Sequence, residues 1–405
     1  MENSVIIIGA GPAGLSAAIT LAEQNIAVTV LDEYLYTGGR LLGQLYEESP
    51  QKWWNGIVES EKLSTRAKEL NVNILLQTSV SDLEQIDSTW HIYTNRGEFI
   101  TEHLLLATGA AESPFPIPGW TLPGVMSIGA AQVMTNVHRV KPGQRGVVIG
   151  VNVLSSAIAM ELNIAGVELA AITLPAQNLC TIQSSNPYEV MNSLLHVSHM
   201  APNPLIKMGS KFMKNDFMKK LGITFYPKNG VKMWNIPILL RKAVIEIVGT
   251  EQVEGVKIAT VNIDGSVVKG TEEIIQADFV CIAGGLYPLA ELASIAGCSF
   301  HYIEQLGGFV PLHSSTMETN LAGLYMAGNI TGIEGAKVAL AQGKVAALSI
   351  SKNMGKPISS QDIEQAIQNV NDTRDKAHIQ FHPDVLNGRI QIETLWKQAV
   401  HNPSV

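Results

Sequence analysis

The stretch VIIIGAGPAG, residues 5–14, decides the fold of this chain. Its apolar, β-branched first half is typical of a parallel strand covered on both faces, and its glycine-rich second half is typical of a tight turn leading into a helix. Gly9 allows the turn, Gly11 lets a pyrophosphate approach the backbone, and Gly14 lets the helix pack closely on the strand. We therefore predict a dinucleotide cradle formed by Gly9, Gly11, Pro12, Ala13 and Gly14. A turn that only joins a strand to a helix is the alternative interpretation.

An acidic pair follows the next predicted strand, Ala27–Leu31. Asp32 and Glu33 lie about twenty residues beyond the glycines, where an acidic side chain can accept hydrogen bonds from a ribose diol. Because side chains alternate along a strand, only one of the two can point into the crevice. The pattern favours Glu33 slightly and leaves Asp32 open, and a pair of solvated acids is the plainer interpretation.

Composition indicates a globular chain of two or three domains. Its 405 residues are 46% hydrophobic and 16% charged, and no apolar run approaches the length of a membrane-spanning helix. The first residues, MENSV, lack the basic region of a secretion signal, so a cytoplasmic location is expected. A net charge of -8 argues against a general nucleic-acid surface.

Several short motifs in the first 110 residues resemble the FAD-binding half of the glutathione-reductase and thioredoxin-reductase superfamily. The matching pieces are GAGPAG, the strand ending LDE, the turn Gly38-Gly39-Arg40, the strand end Thr78-Ser79-Val80, and the strand ending Ala107-Thr108-Gly109. The resemblance implies that FAD is the ligand and that Gly38, Gly39 and Arg40 lie against the flavin and its diphosphate. It also implies that Val80 lies beside the adenine.

The cysteines exclude one chemistry of that superfamily. Its disulfide reductases carry a redox-active cysteine pair just past the second glycine turn or in the second domain. Here the segment from Arg40 to Gln44 has no cysteine, and Cys180, Cys281 and Cys298 form no CxxC pattern. Electrons must therefore enter or leave the flavin by hydride transfer or through a partner.

A proline- and glycine-rich segment from Ala110 to Arg145 narrows the resemblance. Its pieces ESPFPIPGW, LPGV and GAAQ are similar to the crossing segment in α-type components of heteromeric amine and imino-acid oxidising flavoenzymes. That group includes the α component of sarcosine oxidase, the A component of opine oxidase, the B component of hydrogen cyanide synthase and the α components of proline and hydroxyproline dehydrogenases. The resemblance implies a substrate-oxidising β subunit, or another electron-transfer partner. A plain interdomain linker is the alternative.

A second strand and turn, beginning at Gly146, has lost two of the three expected glycines. The turn reads Gly150-Val151-Asn152-Val153-Leu154-Ser155. Asn152 intrudes where a pyrophosphate needs bare backbone, and Ser155 should loosen the helix contact. We therefore predict a domain that keeps the fold without binding NAD(P)H tightly, although NAD(P)H stays open as a second ligand.

The last cofactor motif is Gly328-Asn329, followed by Gly335-Ala336-Lys337. In relatives the residue after the glycine is usually an aspartate that bonds the ribitol, whereas Asn329 can hydrogen bond but carries no charge. The resemblance implies that a helix beginning near Gly335 aims at the pyrimidine end of the flavin, where its dipole and Lys337 would stabilise a reduced flavin. Asn329 also leaves open NAD or ATP as the ligand of this site.

The predicted architecture is an α/β fold with two Rossmann-like dinucleotide-binding domains and a C-terminal tail. We expect an FAD-binding domain over 1–112 and 278–350, an inserted NAD(P)-binding-like domain over 113–277, and a helical tail over 351–405. The apolar strand in Phe279–Gly285 is expected to re-enter the first domain's sheet. The tail either docks a partner or packs over its own domain.

The favoured function is the α-like flavoprotein subunit of a heteromeric amino- or imino-acid dehydrogenase or oxidase. The alternatives are a stand-alone NAD(P)H-dependent flavin reductase and a nucleotide-bound scaffold, and a homo-oligomer is a further expectation. No residue stands out as a catalytic acid or base. No metal site is expected, because His196 with His199 and His378 with His382 lack further donors.

Overall fold

The computed structural model describes residues 4–49, 51–196, 215–377 and 379–401. The chain divides into two compact units, the first made of Met1–Ala111 with Leu286–Val405 and the second of Glu112–Gly285. Within the described residues, no helix combines the length and the apolar character that crossing a bilayer requires.

A parallel sheet of five strands forms the centre of the first unit, in the order β22-β9-β1-β2-β5. Its middle strand, Ser4–Ile8, is buried at four of its five positions, as the β-branched run predicts for a strand covered on both faces. An antiparallel meander of β6, β7 and β8 and the two hairpins β3–β4 and β20–β21 complete the unit. Its strands are Ser4–Ile8 (β1), Ala27–Leu31 (β2), Leu45–Ser49 (β3), Lys52–Asn55 (β4), Asn73–Leu75 (β5), Val80–Ile86 (β6), Thr89–Thr94 (β7), Gly97–Thr101 (β8), His103–Leu106 (β9), Leu286–Pro288 (β19), Phe300–Ile303 (β20), Gly308–Pro311 (β21) and Leu324–Met326 (β22).

Two helices of the first unit cross in close contact above this sheet. The helices of the unit are Pro12–Glu23 (α1), Gly56–Glu69 (α2), Glu291–Ile295 (α7), Ala336–Asn353 (α8), Ser360–Asp375 (α9) and Val385–His401 (α10). A Cβ atom on Gly343 of α8 would lie 2.1 Å from the carbonyl oxygen of Ala13 on α1. Only glycine therefore permits this approach, which packs the middle of α8 against the beginning of α1.

The second unit contains a larger mixed sheet in the order β11-β18-β12-β13-β15-β16-β17, with β14 paired to β15. Each adjacent pair in the series β11, β18, β12, β13 and β15 is parallel. The pairs β15–β16 and β16–β17 are antiparallel. Its elements are Val125–Ser127 (β11), Ile128–Asn136 (α3), Arg145–Ile149 (β12), Val153–Ile164 (α4), Glu168–Pro175 (β13), Pro187–His196 (α5), Asp216–Thr224 (α6), Val231–Met233 (β14), Ile236–Val248 (β15), Gly255–Thr260 (β16), Glu273–Gln276 (β17) and Phe279–Ile282 (β18); strand Ala110–Glu112 (β10) spans the boundary between the units.

The two units repeat the same local construction. In each, a left-handed glycine ends the central strand, and its N–H donates over 2.8 Å to the end of the next strand: Gly9 to Leu31, and Gly150 to Thr173. A Cβ atom on either glycine would collide with a carbonyl oxygen, that of Ala107 at 2.3 Å or that of Ala283 at 2.2 Å. The prediction of two Rossmann-like domains is confirmed by this repeat and by the parallel sheets.

One strand belongs to the sheet of the second unit, whereas we expected it in the sheet of the first. Phe279–Ile282 pairs with β12 and β11 in the second unit, and the strand that joins the first sheet beside β9 is Leu324–Met326. The first unit therefore resumes at Leu286 rather than at residue 278. The physical reason is the repeat itself, because β18 takes in the second unit the place beside the central strand that β9 takes in the first.

The C-terminal segment packs on its own unit. Buried side chains of α9, namely Ile363, Ala366 and Val370, belong to the same apolar cluster as α1 and α8. Helix α10 buries Val385 and Ile392 against the β20–β21 hairpin. Of the two interpretations of the tail, packing over its own domain is the one that the structure supports.

Replacing Gly343 by alanine tests the helix crossing. In an ordinary helix interior, alanine is more favourable than glycine by about 1 kcal/mol. Here the added methyl group must push α1 and α8 apart, so G343A should lower the free energy of unfolding by about 1–3 kcal/mol. The control is N369A at an exposed position of α9, which should be neutral or slightly stabilising. Urea unfolding of both variants makes the measurement, and a G343A protein as stable as N369A would contradict the crossing.

Candidate functional site

The glycine turn before α1 leaves room for a ligand at one position. Gly11 is the N-cap residue of α1, no side chain caps the helix there, and Pro12 is its first residue. A Cβ atom built on Gly11 meets nothing within 4 Å, whereas one on Gly14 would lie 1.9 Å from the Gly9 carbonyl oxygen. Gly14 is therefore needed for packing, and Gly11 borders open space beside unpaired peptide N–H groups.

The two acidic residues after β2 have different roles. Asp32 accepts a hydrogen bond from the backbone N–H of Ala10 at 2.6 Å and another from that of Tyr34 at 2.8 Å, so its carboxylate holds the glycine turn in place. Glu33 is exposed at the same edge of the sheet. Because Asp32 is committed to the backbone, Glu33 is the acid that remains for a ribose, and that role stays a prediction.

The second glycine turn lies directly against the first. The N–H of Gly38 donates to the carbonyl oxygen of Ala10 over 2.7 Å. A Cβ atom on Gly39, which has a left-handed backbone with φ of 53°, would lie 3.2 Å from the Cα of Gly11. Arg40 donates from its Nε over 3.0 Å to the carbonyl oxygen of Ala110, the first residue of β10. The predicted cofactor residues of these two turns are therefore brought together.

The remaining strand ends meet at the same edge of the parallel sheet. The N–H of Thr78 donates to the carbonyl oxygen of Asp32 over 2.9 Å, and Val80 packs against an apolar cluster that includes Leu31. Thr108 donates from Oγ1 to the carbonyl oxygen of Leu289 over 2.5 Å, and a Cβ atom on Gly109 would meet nothing within 4 Å. Thr78 and Thr108 follow the carboxyl ends of the parallel strands β5 and β9, where open α/β sheets bind ligands, whereas Val80 begins β6 of the antiparallel meander.

The loop from Gly328 to Gly335 uses most of its polar groups internally. Gly328 has a φ of 83°, and its N–H donates over 3.0 Å to the side-chain oxygen of Gln342 on α8. Asn329 accepts the N–H of Glu334 at its Oδ1 atom over 3.1 Å. With its oxygen occupied in this way, Asn329 would offer a ligand its amide nitrogen, a donor, where an aspartate would offer an acceptor.

Helix α8 begins without a capping side chain. Gly335 is its N-cap, Ala336 is its first residue, and a Cβ atom on Gly335 would meet nothing within 4 Å. Lys337, the second residue, forms an ion pair with Glu48, and its Nζ atom lies 4.9 Å from the centre of the Trp54 ring. The hydrogen bond from Lys337 is the main reason that the pKa of Glu48 is lowered. Glu48 therefore neutralises much of the charge that Lys337 was expected to bring to a flavin.

The missing caps set α1 and α8 apart from the other long helices whose N-cap the structure describes. Seven helices of nine or more residues have a described N-cap, and only α1 and α8 among them lack a capping side chain. Both begin at a glycine bordered by open space. The helices that are capped by a side chain, with their capping residues, are α2 (Asn55), α3 (Ser127), α4 (Asn152), α6 (Asn215) and α9 (Ser359).

In the second unit the corresponding helix, α4, is capped by the side chain that replaces the middle glycine. Asn152 accepts the N–H of Ser155 at Oδ1 over 2.8 Å, and Ser155 accepts the N–H of Asn152 over 2.9 Å. The amide nitrogen of Asn152 donates to the carbonyl oxygen of Ala283 over 2.9 Å. Ser155 is fully buried and completes this capping box, so it closes the turn rather than merely loosening the helix contact as we expected.

A buried ion cluster holds the loop that precedes α8. Glu334 is 7% exposed and receives two bonds from Arg374 of α9, at 2.5 and 3.2 Å, and one from Arg389 of α10. Arg389 also donates to the carbonyl oxygen of Thr331 over 2.6 Å and to that of Gly332 over 3.3 Å. Burial raises the pKa of Glu334, but the two guanidinium groups outweigh it and keep the pKa below its ordinary value. The carboxylate is therefore ionised at neutral pH.

Sequence reasoning missed the residues of this cluster and the structural role of Asp32. A signal for Arg374 was present, because it continues the buried stripe Ile363, Ala366 and Val370 at helical spacing. A charged residue at such a position indicates a buried ionic partner. Neither Glu334 nor Arg389 carries a comparable local signal.

No metal site and no redox disulfide are found among the described residues. No group of three or more His, Cys, Asp or Glu side chains there could hold a metal ion. His199 and His378 lie outside the described residues, as does the side chain of His196. All three cysteines are free, and burial raises the pKa of Cys281 and that of Cys298, the latter to about 11.

Comparison with known proteins gives the family. The profile of the pyridine nucleotide-disulphide oxidoreductases matches residues 3–343. The chain belongs to this family. It is an FAD-dependent oxidoreductase. Its three cysteines are free, so it lacks the redox-active disulfide to which the family name refers.

Several relatives have names that denote enzyme subunits. The A component of opine oxidase from Rhizobium meliloti (strain 1021) is 30% identical over 87% of this chain and 72% of its own length. The HcnB component of hydrogen cyanide synthase from Pseudomonas protegens is 24% identical over 88% of this chain and 71% of its own length. Among solved structures, L-proline dehydrogenase from P. horikoshii has the same fold, with a TM-score of 0.64 and 19% identity over 90% of this chain, which spans 58% of that one.

Substitution of two glycines separates ligand binding from folding. In G11A the new methyl group enters the open space beside α1, so the melting temperature of the ligand-free protein should stay unchanged while flavin affinity falls at least about tenfold. In G14A the methyl group meets the Gly9 carbonyl oxygen, so the ligand-free protein itself should be destabilised. Thermal unfolding and flavin titration measure both effects. A G11A protein that retains flavin as the unaltered chain does would show that the cradle lies elsewhere.

Removal of the Asn152 side chain tests the self-capped turn. N152A should lower the free energy of unfolding by about 1 kcal/mol or more, because it removes the cap of α4 and leaves the Ala283 carbonyl oxygen without this donor. S359A removes the capping box of α9, which is exposed, and should cost less. Chemical denaturation measures both variants. Equal stability of N152A and the unaltered chain would mean that Asn152 is not needed for this turn.

Proposed function

We propose that this chain is the α-like flavoprotein subunit of a heteromeric amino- or imino-acid dehydrogenase or oxidase, and that it binds FAD in its first unit. The observation that carries the proposal is the pair of uncapped helices, α1 and α8, in that one unit. Each offers first-turn N–H groups beside open space, and FAD has two groups that need such donors: its central pyrophosphate and the polar edge of its flavin ring.

The position of the two helix ends favours FAD over a shorter nucleotide. ATP would use the N–H groups of α1 for its phosphates and leave those of α8 without a partner. FAD would place its pyrophosphate at Gly11 and the polar edge of its ring at Gly335, Ala336 and Lys337. Asn329 would donate to the ribitol, and Glu33 would accept from the ribose.

The chain's own residues would position the cofactor and shield it from water. When bound, FAD would supply an acceptor for the two electrons that the partner removes from the amine carbon. The first-turn amides of α8 would stabilise negative charge at the edge of the ring. No described side chain is placed as an acid or base for substrate, so we assign substrate oxidation to a partner protein, in keeping with relatives whose names denote subunits.

The same geometry argues against a stand-alone NAD(P)H-dependent reductase. Asn152 and Ser155 occupy with their own side chains the donors that a nicotinamide nucleotide would need at α4. Strand β13 ends in Leu174-Pro175, which offers no acid to a ribose and no arginine to a 2′-phosphate. In this proposal the second unit therefore has a structural role and binds no nicotinamide nucleotide. Electrons reach the flavin from the partner.

The absorption spectrum of the purified chain tests the proposal directly. Bands near about 370 and 450 nm are expected, since they are a property of oxidised flavin. NADH and NADPH should leave them unchanged on a stopped-flow timescale, whereas the substrate-oxidising partner with its amino- or imino-acid substrate should bleach them.

Two results would overturn this function. A colourless protein that releases only ATP or NAD on denaturation would identify a nucleotide-bound scaffold. Rapid bleaching at low micromolar NADH or NADPH, about 10 μM or below, would identify a reductase that works without a partner. The variant G11A is the control in both measurements, because it should lose the flavin bands while remaining folded.

A further inference from the structure

The strongest unexplained feature of the first unit is the buried cluster of Glu334, Arg374 and Arg389. Two guanidinium groups surround one carboxylate, so the cluster carries one net positive charge. Burying charges is unfavourable unless they are paired, and such clusters often mark a requirement for a fixed geometry or a local charge. Glu334 directly precedes Gly335, the N-cap of α8.

Arg389 is directed wholly toward the loop that leads into α8. Within the described residues, all of its hydrogen bonds go to residues of that loop: to the carbonyl oxygens of Thr331 and Gly332, to the hydroxyl of Thr331, and to Glu334. Arg374 binds the same carboxylate through two of its nitrogens. Two C-terminal helices therefore meet on one loop.

The loop has two further attachments on its other side. Gln342 accepts the N–H of Gly328, and the N–H of Ile333 donates to the carbonyl oxygen of Leu306 over 3.0 Å. With both arginines included, the loop is held from α8, α9, α10 and the β20–β21 hairpin. The first-turn amides of α8 and the amide nitrogen of Asn329 are among the groups that it leaves for a ligand.

Two other basic groups near the cluster or the beginning of α8 add little positive charge there. His313 is buried beside it, and burial followed by the charge of Arg389 lowers its pKa to about 4, so it is neutral at physiological pH. Lys337, the cation that the sequence suggested, is paired with Glu48. The cluster is therefore the source of positive charge next to the beginning of α8.

We propose that the C-terminal helices are part of the flavin site: Arg389 and Arg374, joined on Glu334, are positioning residues that fix residues 328–335 and favour the reduced, anionic flavin. This inference rests on the proposed FAD site. It assigns to α9 and α10 a role in tuning the cofactor that their packing alone would not require. The guanidinium group of Arg389 contributes both a positive charge and a forked hydrogen-bonding geometry to the loop. Two substitutions of Arg389 can separate these contributions.

The experiment compares R389Q, which removes the charge, with R389K, which keeps the charge but loses the fork. R389Q should weaken flavin binding at least about tenfold. It should also weaken the binding of reduced flavin about tenfold more than that of oxidised flavin, which lowers the reduction potential of the bound flavin by about 30 mV for a two-electron couple. R389K should weaken binding but leave that ratio within about twofold of the unaltered chain. The matched control is R66Q, which removes an exposed arginine of α2 in the same unit and should change neither quantity.

Hydrogen exchange in the ligand-free protein provides a readout that needs no flavin. R389Q and R389K should both speed exchange of the amides of residues 328–337 and leave the β6–β8 meander protected. Faster exchange throughout the unit, or a reduced-to-oxidised ratio for R389Q equal to that of R66Q, would overturn the proposal. If the unaltered chain binds no flavin, the proposed function fails, while loss of protection confined to the loop would still show that Arg389 holds it.

Discussion

Unpaired peptide N–H groups at the start of two helices are the constraint on which this structure depends. A helix end has donors that must be satisfied by a side chain, by water or by a ligand. Most of the helices with a described N-cap satisfy them with Asn or Ser, whereas α1 and α8 begin at glycines beside open space. The glycine contacts Gly14 with Gly9, Gly39 with Gly11 and Gly343 with Ala13 bring these two ends into one unit. In the proposed function, these two helix ends serve the central pyrophosphate and the flavin ring of one ligand.

Much of the fold could be predicted because its signals are local. The apolar strand, the three glycines, the following helix and the acid at the end of β2 lie within one short stretch, and each has a distinct residue pattern. The altered turn at Asn152 could also be recognised from the sequence, since a side chain stands where a pyrophosphate would need bare backbone. An asparagine before a helix is a common N-cap, but the bond from its amide nitrogen to the Ala283 carbonyl oxygen depends on the tertiary fold and could not be deduced from the pattern.

The parts that sequence reasoning missed are those that depend on distant partners. Strand Phe279–Ile282 has the composition of a buried strand in either sheet, so its pattern could not determine which one it joins. Glu334 is 40 residues from Arg374 and 55 from Arg389, and no periodicity links them. The choice between Asp32 and Glu33 was decided by a backbone N–H on another element, that of Ala10. Such long-range polar contacts are set by the tertiary fold rather than by residue type.

The self-capped turn of the second unit has a thermodynamic consequence. A ligand that binds only the folded state adds stability in proportion to the logarithm of its concentration over its dissociation constant. The first unit leaves its helix donors to such a ligand, so its stability is linked to cofactor supply. The second unit carries its own substitute in Asn152 and Ser155, and its stability is independent of supply. Cofactor scarcity would therefore lower the stability of the first unit and leave the helix caps of the second unit unaffected.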